Sequence, residues 1–550
     1  MRFTKHLRLL LILIFTIVLF NQIPQNLSKA DGGIGRNFIF EQGTSDDYVE
    51  DVYDNTSFFT PSYELASHWS PASTATGDGS AAQGESLTLT WSIIPDGTAM
   101  PAQGGEDTTC NSSLIADLNT VYGVGNWQAE IENVFNDWSS KTGNNYVREL
   151  NDDGAAWPTS IGVLGTRGDI RIGGCTIDGN SGILGYNFFP NNGDMKIDSK
   201  DSFYTASNLT TSFHNIISHE HGHGAGIEHV CPVNQTKLME PFLTTAFKGL
   251  QHDDIRAIQR HYGDFNELIG VGNDAAAQAT LLGTPPDNVT TTMSQVSIDD
   301  NSDTDWYSFM ASHSVKKVTL SVTPVGSTYL SGPQFNNGSC SAGSSINTLA
   351  IHNLTVELID SDQTTVIATG NSNGTGLAET LTEVALGAAG TKYIRVTGDS
   401  TNDLQLYDLQ LVISNRVPNF ATTVTSDPTN IKSDTDLITY TLSILNNGDE
   451  GTNVLLTNTI PASTTYIMAS DSGTETTSGS GVITWPTISN FAASVTISRT
   501  FLVSITQPLT DGNSLTNIVS ADADFIDPVT QAFSQFVNEK FIYFPILFKD

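Results

Sequence analysis

Positive charge is scarce in this 550-residue chain: 24 Lys+Arg stand against 59 Asp+Glu, a formal net charge of −35. A surface of that sign repels phosphate backbones and anionic lipid, which argues against nucleic acid and membrane surfaces as partners. Charged residues of both signs make up only 15% of the chain and hydrophobic ones 38%, a balance suited to β-rich extracellular protein and too apolar for a disordered one. Beyond residue 20 no apolar run is long enough to cross a bilayer; Phe541 to Phe548, broken by Pro545, is far short of the ~20 residues needed. Cysteine is down to four, Cys110, Cys175, Cys231 and Cys340, with no CxxC spacing, which excludes a CxxC redox or zinc pair. In an oxidising compartment these four must be paired or buried; their three connectivities are not separable by sequence, although Cys175 and Cys231 fall in one region.

An export signal opens the chain. Arg2, Lys5 and Arg8 precede an apolar run from Leu9 to Phe20, and Ser28-Lys29-Ala30 fits cleavage before Asp31. Residues 1–30 are therefore expected to be a signal peptide, leaving a secreted protein, free or surface-associated, with no transmembrane anchor. Length alone requires several cores. Residues 31–84 are Ser-, Thr- and Gly-rich without a sustained period, so their structure is open. From 85 to 264 a strand pattern (Leu87 to Ile94) and helical spacings (Ile131, Val134, Phe135, Trp138; Phe213, Ile216, Ile217, Glu220) predict an α+β domain. Residues 265–415 and 416–537 alternate apolar and polar positions between Gly/Asn/Asp turns and predict two β-sandwich modules, with the Gly/Ser/Asn-rich stretch around Cys340 as a loop in the first. Residues 538–550 form an apolar tail.

The chemistry is concentrated in His219-Glu220-His221-Gly222-His223-Gly224-Ala225-Gly226-Ile227-Glu228-His229, which satisfies H-E-x-x-H-x-x-G-x-x-H at all five fixed positions. Residues four apart share a helix face, so His219 and His223 present two imidazoles to one ion. His229 must approach from off the helix, and Gly226 supplies the bend because glycine takes a positive φ without penalty. Three protein ligands with one open position define a catalytic zinc site. Glu220, beside the first ligand, is the candidate base for the proton of metal-held water. His221 and His214 are expected to be surface or packing residues. Met239, ten residues past His229, is placed to form an apolar floor beneath the imidazoles.

With its methionine turn, this motif resembles the metzincin endopeptidases, and Leu238-Met239-x-Pro241 followed by Gln251-His252-Asp253-Asp254-Ile255 is similar to the matrixin branch, with the match covering about residues 85 to 264. The resemblance implies a twisted five-stranded sheet with three helices, and a cleft in which a peptide binds as an added strand. It further implies that Asp253 and Asp254 brace the methionine turn, that Pro241, Phe242 and Leu243 wall the pocket for the residue after the scissile bond, and that Asp198 and Asp201 match a calcium site. Tyr186 and Lys196 stand where that family's structural-zinc histidines would fall, so one zinc is expected and a second is not. No Pro-Arg-Cys-Gly thiol run is present to cap the metal. Asp303 to Phe309 and Tyr393 to Thr397 resemble the bacterial pre-peptidase C-terminal domain; Tyr440-Thr441-Leu442 and Asn446-Asn447-Gly448 are similar to an Ig-like repeat of bacterial surface proteins. These modules imply surface or polymer binding, or plain spacing. The expectation for the whole is an extracellular zinc endopeptidase acting on protein or peptide substrates; the rival is an adhesin whose zinc domain is silent.

Overall fold

The computed structural model describes residues 36–53, 65–103, 107–206, 208–269, 272–312, 316–432, 435–506, 508–524 and 526–537. The expected signal peptide and apolar tail lie outside them. The chain divides into two units, one running to Ile269 and also containing Tyr329–Ile346, the other made of Gly270–Thr328 and the chain from Asn347 onward.

In the first unit, six strands form one sheet: β1 (Arg36–Phe40), β2 (Thr88–Ile93), β3 (Asn145–Arg148), β4 (Ile170–Cys175), β5 (Ile183–Phe188) and β6 (Met195–Asp198), in the order β1-β5-β6-β4-β2-β3. The pairs β2/β3, β2/β4 and β4/β6 are parallel, whereas β5 runs antiparallel to β6 and β1 antiparallel to β5. Strand β2 is buried at almost every position, so its polar side chains need internal partners. Thr90 donates to Asp169 at 2.8 Å and Ser92 to Asp152 at 2.7 Å.

The longer helices described in this unit are α1 (Asp46–Tyr53), α2 (Leu114–Tyr122), α3 (Asn126–Ser139), α4 (His214–Gly224) and α5 (His252–Tyr262). Helix α3 buries Trp127, Ile131, Val134, Phe135 and Trp138, the stripe its spacing predicts. Phe135 stacks on Trp91 of the sheet, and the Trp138 indole N–H donates to Ser218 Oγ at 2.9 Å, which fixes α4 against α3. Every residue of α4 is buried, so its polar side chains are committed to internal chemistry.

Three expectations differ from the structure. The sheet has six strands rather than five, because Arg36–Phe40, from the segment with no readable period, adds to the β5 edge. Tyr329–Ile346, expected inside the 265–415 module, groups with the first unit. There Gly332 and Pro333 pair antiparallel with Cys231 and Val230. Among the described residues, five helices of eight or more residues stand where the resemblance implies three. Disulfides join Cys110 to Cys175 and Cys231 to Cys340, one of the three connectivities the sequence left open.

The second unit is built of sheets. Thr280–Leu281, Thr304–Ala311, Gly390–Thr397, Thr355–Ile359 and Val366–Gly370 form one; Thr290–Ile298, Gln405–Asn415, Lys316–Val325 and Glu379–Ala385 form another. The Tyr307 and Tyr407 hydroxyls meet at 2.8 Å and tie these two sheets together. Further along, Leu437–Asn446 and Thr496–Ile505 pair antiparallel, and Tyr440 stacks on Phe501 in an apolar cluster with Trp485.

Candidate metal centre

Helix α4 places His219 and His223 one turn apart, and the chain then reverses at Gly226. Gly226 has φ 96°, and a Cβ there would lie 2.3 Å from the Ser67 carbonyl oxygen, so both backbone conformation and space demand glycine. The reversal brings His229 back to the helix. The three Nε2 atoms lie 3.0 to 3.1 Å apart.

Each opposite ring nitrogen is fixed by an acceptor. His219 Nδ1 donates to the Leu238 carbonyl, His223 Nδ1 to the Ile227 carbonyl and His229 Nδ1 to Gln334 Oε1, all at 2.7 Å. Because Nδ1 carries the proton in each ring, the three Nε2 atoms meet as lone pairs and do not hydrogen-bond one another. Burial lowers the pKa of His219 to about 4, and burial with the neighbouring rings takes His223 and His229 well below the usual value, so all three are neutral. Three converging lone pairs in a buried space fit a cation. Tetrahedral zinc with nitrogen at about 2.0–2.1 Å would set such atoms roughly 3.4 Å apart, close to the spacing present.

Glu220 is fully buried on the same helix, and neither carboxylate oxygen has a hydrogen-bond partner of ordinary geometry. The backbone N–H of Ile39 faces it and favours the charged form, but burial dominates and holds its pKa well above the usual carboxylate range. Met239 is fully buried below the site, where a Cβ on Gly222 of α4 would lie 2.3 Å from its sulfur; glycine in the helix makes room for the methionine.

The turn carrying Met239 is braced by Asp254, which accepts from the Leu238, Met239 and Gln251 N–H groups at 3.0, 3.2 and 2.7 Å. Asp253 does not share this task, contrary to the family expectation; it accepts from the Tyr329 hydroxyl. Just ahead of the turn, buried Glu240 accepts the N–H groups of Asn234, Gln235, Thr236 and Lys237. Pro241 and Leu243 are buried, Phe242 is half-buried, and a cavity of about 770 Å³ reaches Leu243, Phe203, Thr211 and Glu41.

The remaining sequence candidates have structural partners. His221 is buried among the rings of Phe135, Trp138 and Tyr146, so it is a packing residue and not a surface one. His214 Nδ1 meets Glu130 at 2.8 Å. Asp198 accepts the N–H groups of Ile177, Asp178, Gly179 and Lys200, and Asp201 those of Ser181 and Phe203, so both carboxylates serve the backbone of this corner. Lys196 and Tyr186 both bind buried Asp107, at 2.5 and 2.8 Å, forming a proton-bearing cluster where the family's histidines would stand.

Two contributors escaped the sequence reading. Gln334 stands beside Pro333, whose pairing with Val230 puts the amide opposite His229. The Cys231–Cys340 disulfide fastens that segment. An unassigned cysteine on each side of the expected boundary was the only trace of this arrangement. The other contributor is β1, which gave no periodic signal.

The family model described as Matrixin matches residues 115–263, the stretch that carries the three imidazoles. The chain is similar to the hatching enzyme of Paracentrotus lividus, 29% identical over 154 residues, covering 28% of this chain and 24% of that protein. It is also similar to stromelysin-3 of Mus musculus, 36% identical over 90 residues (16% and 18% covered), and to matrix metalloproteinase-26 of Homo sapiens, 33% identical over 96 residues (16% and 36%). The chain thus spans between 18% and 36% of the length of these relatives.

Proposed function

We propose that this chain is a secreted zinc-dependent endopeptidase that hydrolyses internal peptide bonds of extracellular proteins, with His219, His223 and His229 as the metal ligands and Glu220 as the general base. The observation that carries the reading is the convergence of three Nε2 atoms, 3.0 to 3.1 Å apart, beside the buried Glu220 carboxylate. When bound, zinc supplies Lewis-acid polarisation of a peptide carbonyl and acidifies water. Glu220 takes a proton from the attacking water and returns it to the departing amide nitrogen. Pro241, Phe242 and Leu243 form the wall beside the residue after the scissile bond, and Met239 limits the motion of the rings. Buried, proton-fixed imidazoles lose little freedom on binding the ion, which favours a preformed site.

Secretion rests on the N-terminal charge and apolar pattern, and a bacterial origin of the architecture on the resemblance of the downstream modules. Those modules are assigned surface or polymer binding. One zinc per chain belongs to this reading, while the backbone bonds of Asp198 and Asp201 leave calcium there without further support. The test is Glu220→Gln in the full chain: zinc content by elemental analysis should stay at one per chain while casein and gelatin cleavage disappears. Retained cleavage would remove Glu220 from its role.

A further inference from the structure

Strand β1 lies along the outer edge of β5, the edge on which a peptide adds as a strand. Arg36, Asn37, Phe38 and Ile39 stand antiparallel to Phe188, Asn187, Tyr186 and Gly185. From the other side, the Phe40 N–H donates to the Pro241 carbonyl at 3.1 Å, and the Phe40 carbonyl accepts from the Leu243 N–H at 3.0 Å, in parallel register. One extended segment is thus gripped by the sheet edge and by the expected pocket wall.

Side-chain alternation orients it. Phe38 and Phe40 enter the apolar cluster with Trp157, Tyr186 and Phe188, which leaves Ile39, 1% exposed, on the opposite face of the strand, towards α4. Ile39 pairs with Gly185, where a Cβ would lie 3.4 Å from Glu220 Oε1, so the peptide nitrogen joining Phe38 to Ile39 stands over that carboxylate. A strand serving only to cover a sheet edge has no need to bring a peptide nitrogen to a buried carboxylate beside three converging imidazoles.

We propose that Arg36–Phe40 is a built-in substrate: the chain hydrolyses its own Phe38–Ile39 bond, and until it does so this strand fills the cleft. The inference rests on the endopeptidase reading. Water oxygen adds to the Phe38 carbonyl carbon as Glu220 takes one of its protons; the C–N bond breaks, and that proton passes to the Ile39 nitrogen. The products are a carboxylate at Phe38 and a new amino terminus at Ile39. Release of Arg36, Asn37 and Phe38 removes three of the five register pairs to β5 and frees the edge for other peptides. The same geometry makes a bulky aliphatic residue the preferred one after the cleaved bond.

The test is the amino-terminal sequence and intact mass of the secreted full chain, measured alongside casein cleavage, for the wild type, E220Q, I39L and I39D. The expected result is a new amino terminus at position 39 in both the wild type and I39L, an uncut bond after Phe38 in E220Q, and no cut in I39D. Casein cleavage should rise as the uncut form disappears. Wild type that degrades casein with the bond intact overturns this inference and leaves the endopeptidase reading standing. Wild type that neither degrades casein nor cuts itself overturns both. E220Q cut at the same bond shows that another protease does the work, and the inference falls.

Discussion

His229 Nδ1 lies 2.7 Å from Gln334 Oε1, although 105 residues separate them. The other two ligands take backbone carbonyls from their own neighbourhood, so the third imidazole alone depends on a side chain from a distant stretch. An acceptor on the far ring nitrogen fixes the tautomer and raises the basicity of the ligating one. Gln334→Ala should therefore weaken zinc binding by about 10–100-fold, read by competition with a chromogenic chelator, while Gln334→Glu, which keeps the acceptor, should retain it. Equal affinity in all three proteins would refute the assignment.

The disulfide from Cys231 to Cys340 closes a loop of 109 residues two positions after the third ligand. Replacing both cysteines by serine should cost about 2–5 kcal/mol of stability, seen as a lower Tm by calorimetry. Zinc affinity should fall as well, because Gln334 loses its tether. A fall in Tm with unchanged metal binding would show that strand pairing alone holds Gln334.

Gly226→Ala adds a Cβ 2.3 Å from the Ser67 carbonyl at a φ of 96°. The left-handed backbone alone costs about 1–2 kcal/mol for an L residue, and the clash must be relieved by moving the turn that aims His229. The expected outcome is reduced thermal stability together with substoichiometric zinc. A variant with full zinc content and wild-type Tm would show the turn to be more adaptable than its contacts imply.

His261 is buried beside the same turn, its Nε2 at 3.1 Å from the Gly226 carbonyl, and burial with nearby His68 lowers its pKa to about 4. Its folded-state pKa is depressed, so its contribution is complete above the unfolded value near 6.5 and is lost as pH falls towards 4. At pH 5 the loss comes to about 2 kcal/mol. Urea midpoints measured from pH 7 to 4.5 should decline in the wild type, and less steeply in His261→Gln. Parallel curves would mean that His261 titrates normally.

The convergence of the three imidazoles, the bend at Gly226, the buried Met239 and the stripe on α3 could be read from the sequence because each is local: helical period, a glycine at a forced turn, fixed spacing. The alternation in Leu437–Asn446 was legible for the same reason. What stayed hidden was non-local. Strand β1 holds only five residues, and both Phe38 and Phe40 and the intervening Ile39 are buried, so no polar alternation marks it. Cys340 sits in a stretch whose composition reads as loop, and a partner 109 residues away leaves no periodic trace. For His221 the sequence left surface and packing both open; α4 is buried all round, and the ring packs against Phe135 and Tyr146. Asp253 was assigned to the methionine turn by analogy, but Tyr329 recruits it instead.

Because Tyr329–Ile346 returns to the first unit, the body that carries the three imidazoles is discontinuous along the chain. A protein ended after Asp264, where helical signals fade, would retain every fixed position of the zinc motif. It would also leave Cys231 as a lone thiol and the third imidazole without its anchor. No single cut of the chain therefore separates the first unit whole from the second, so the two travel together.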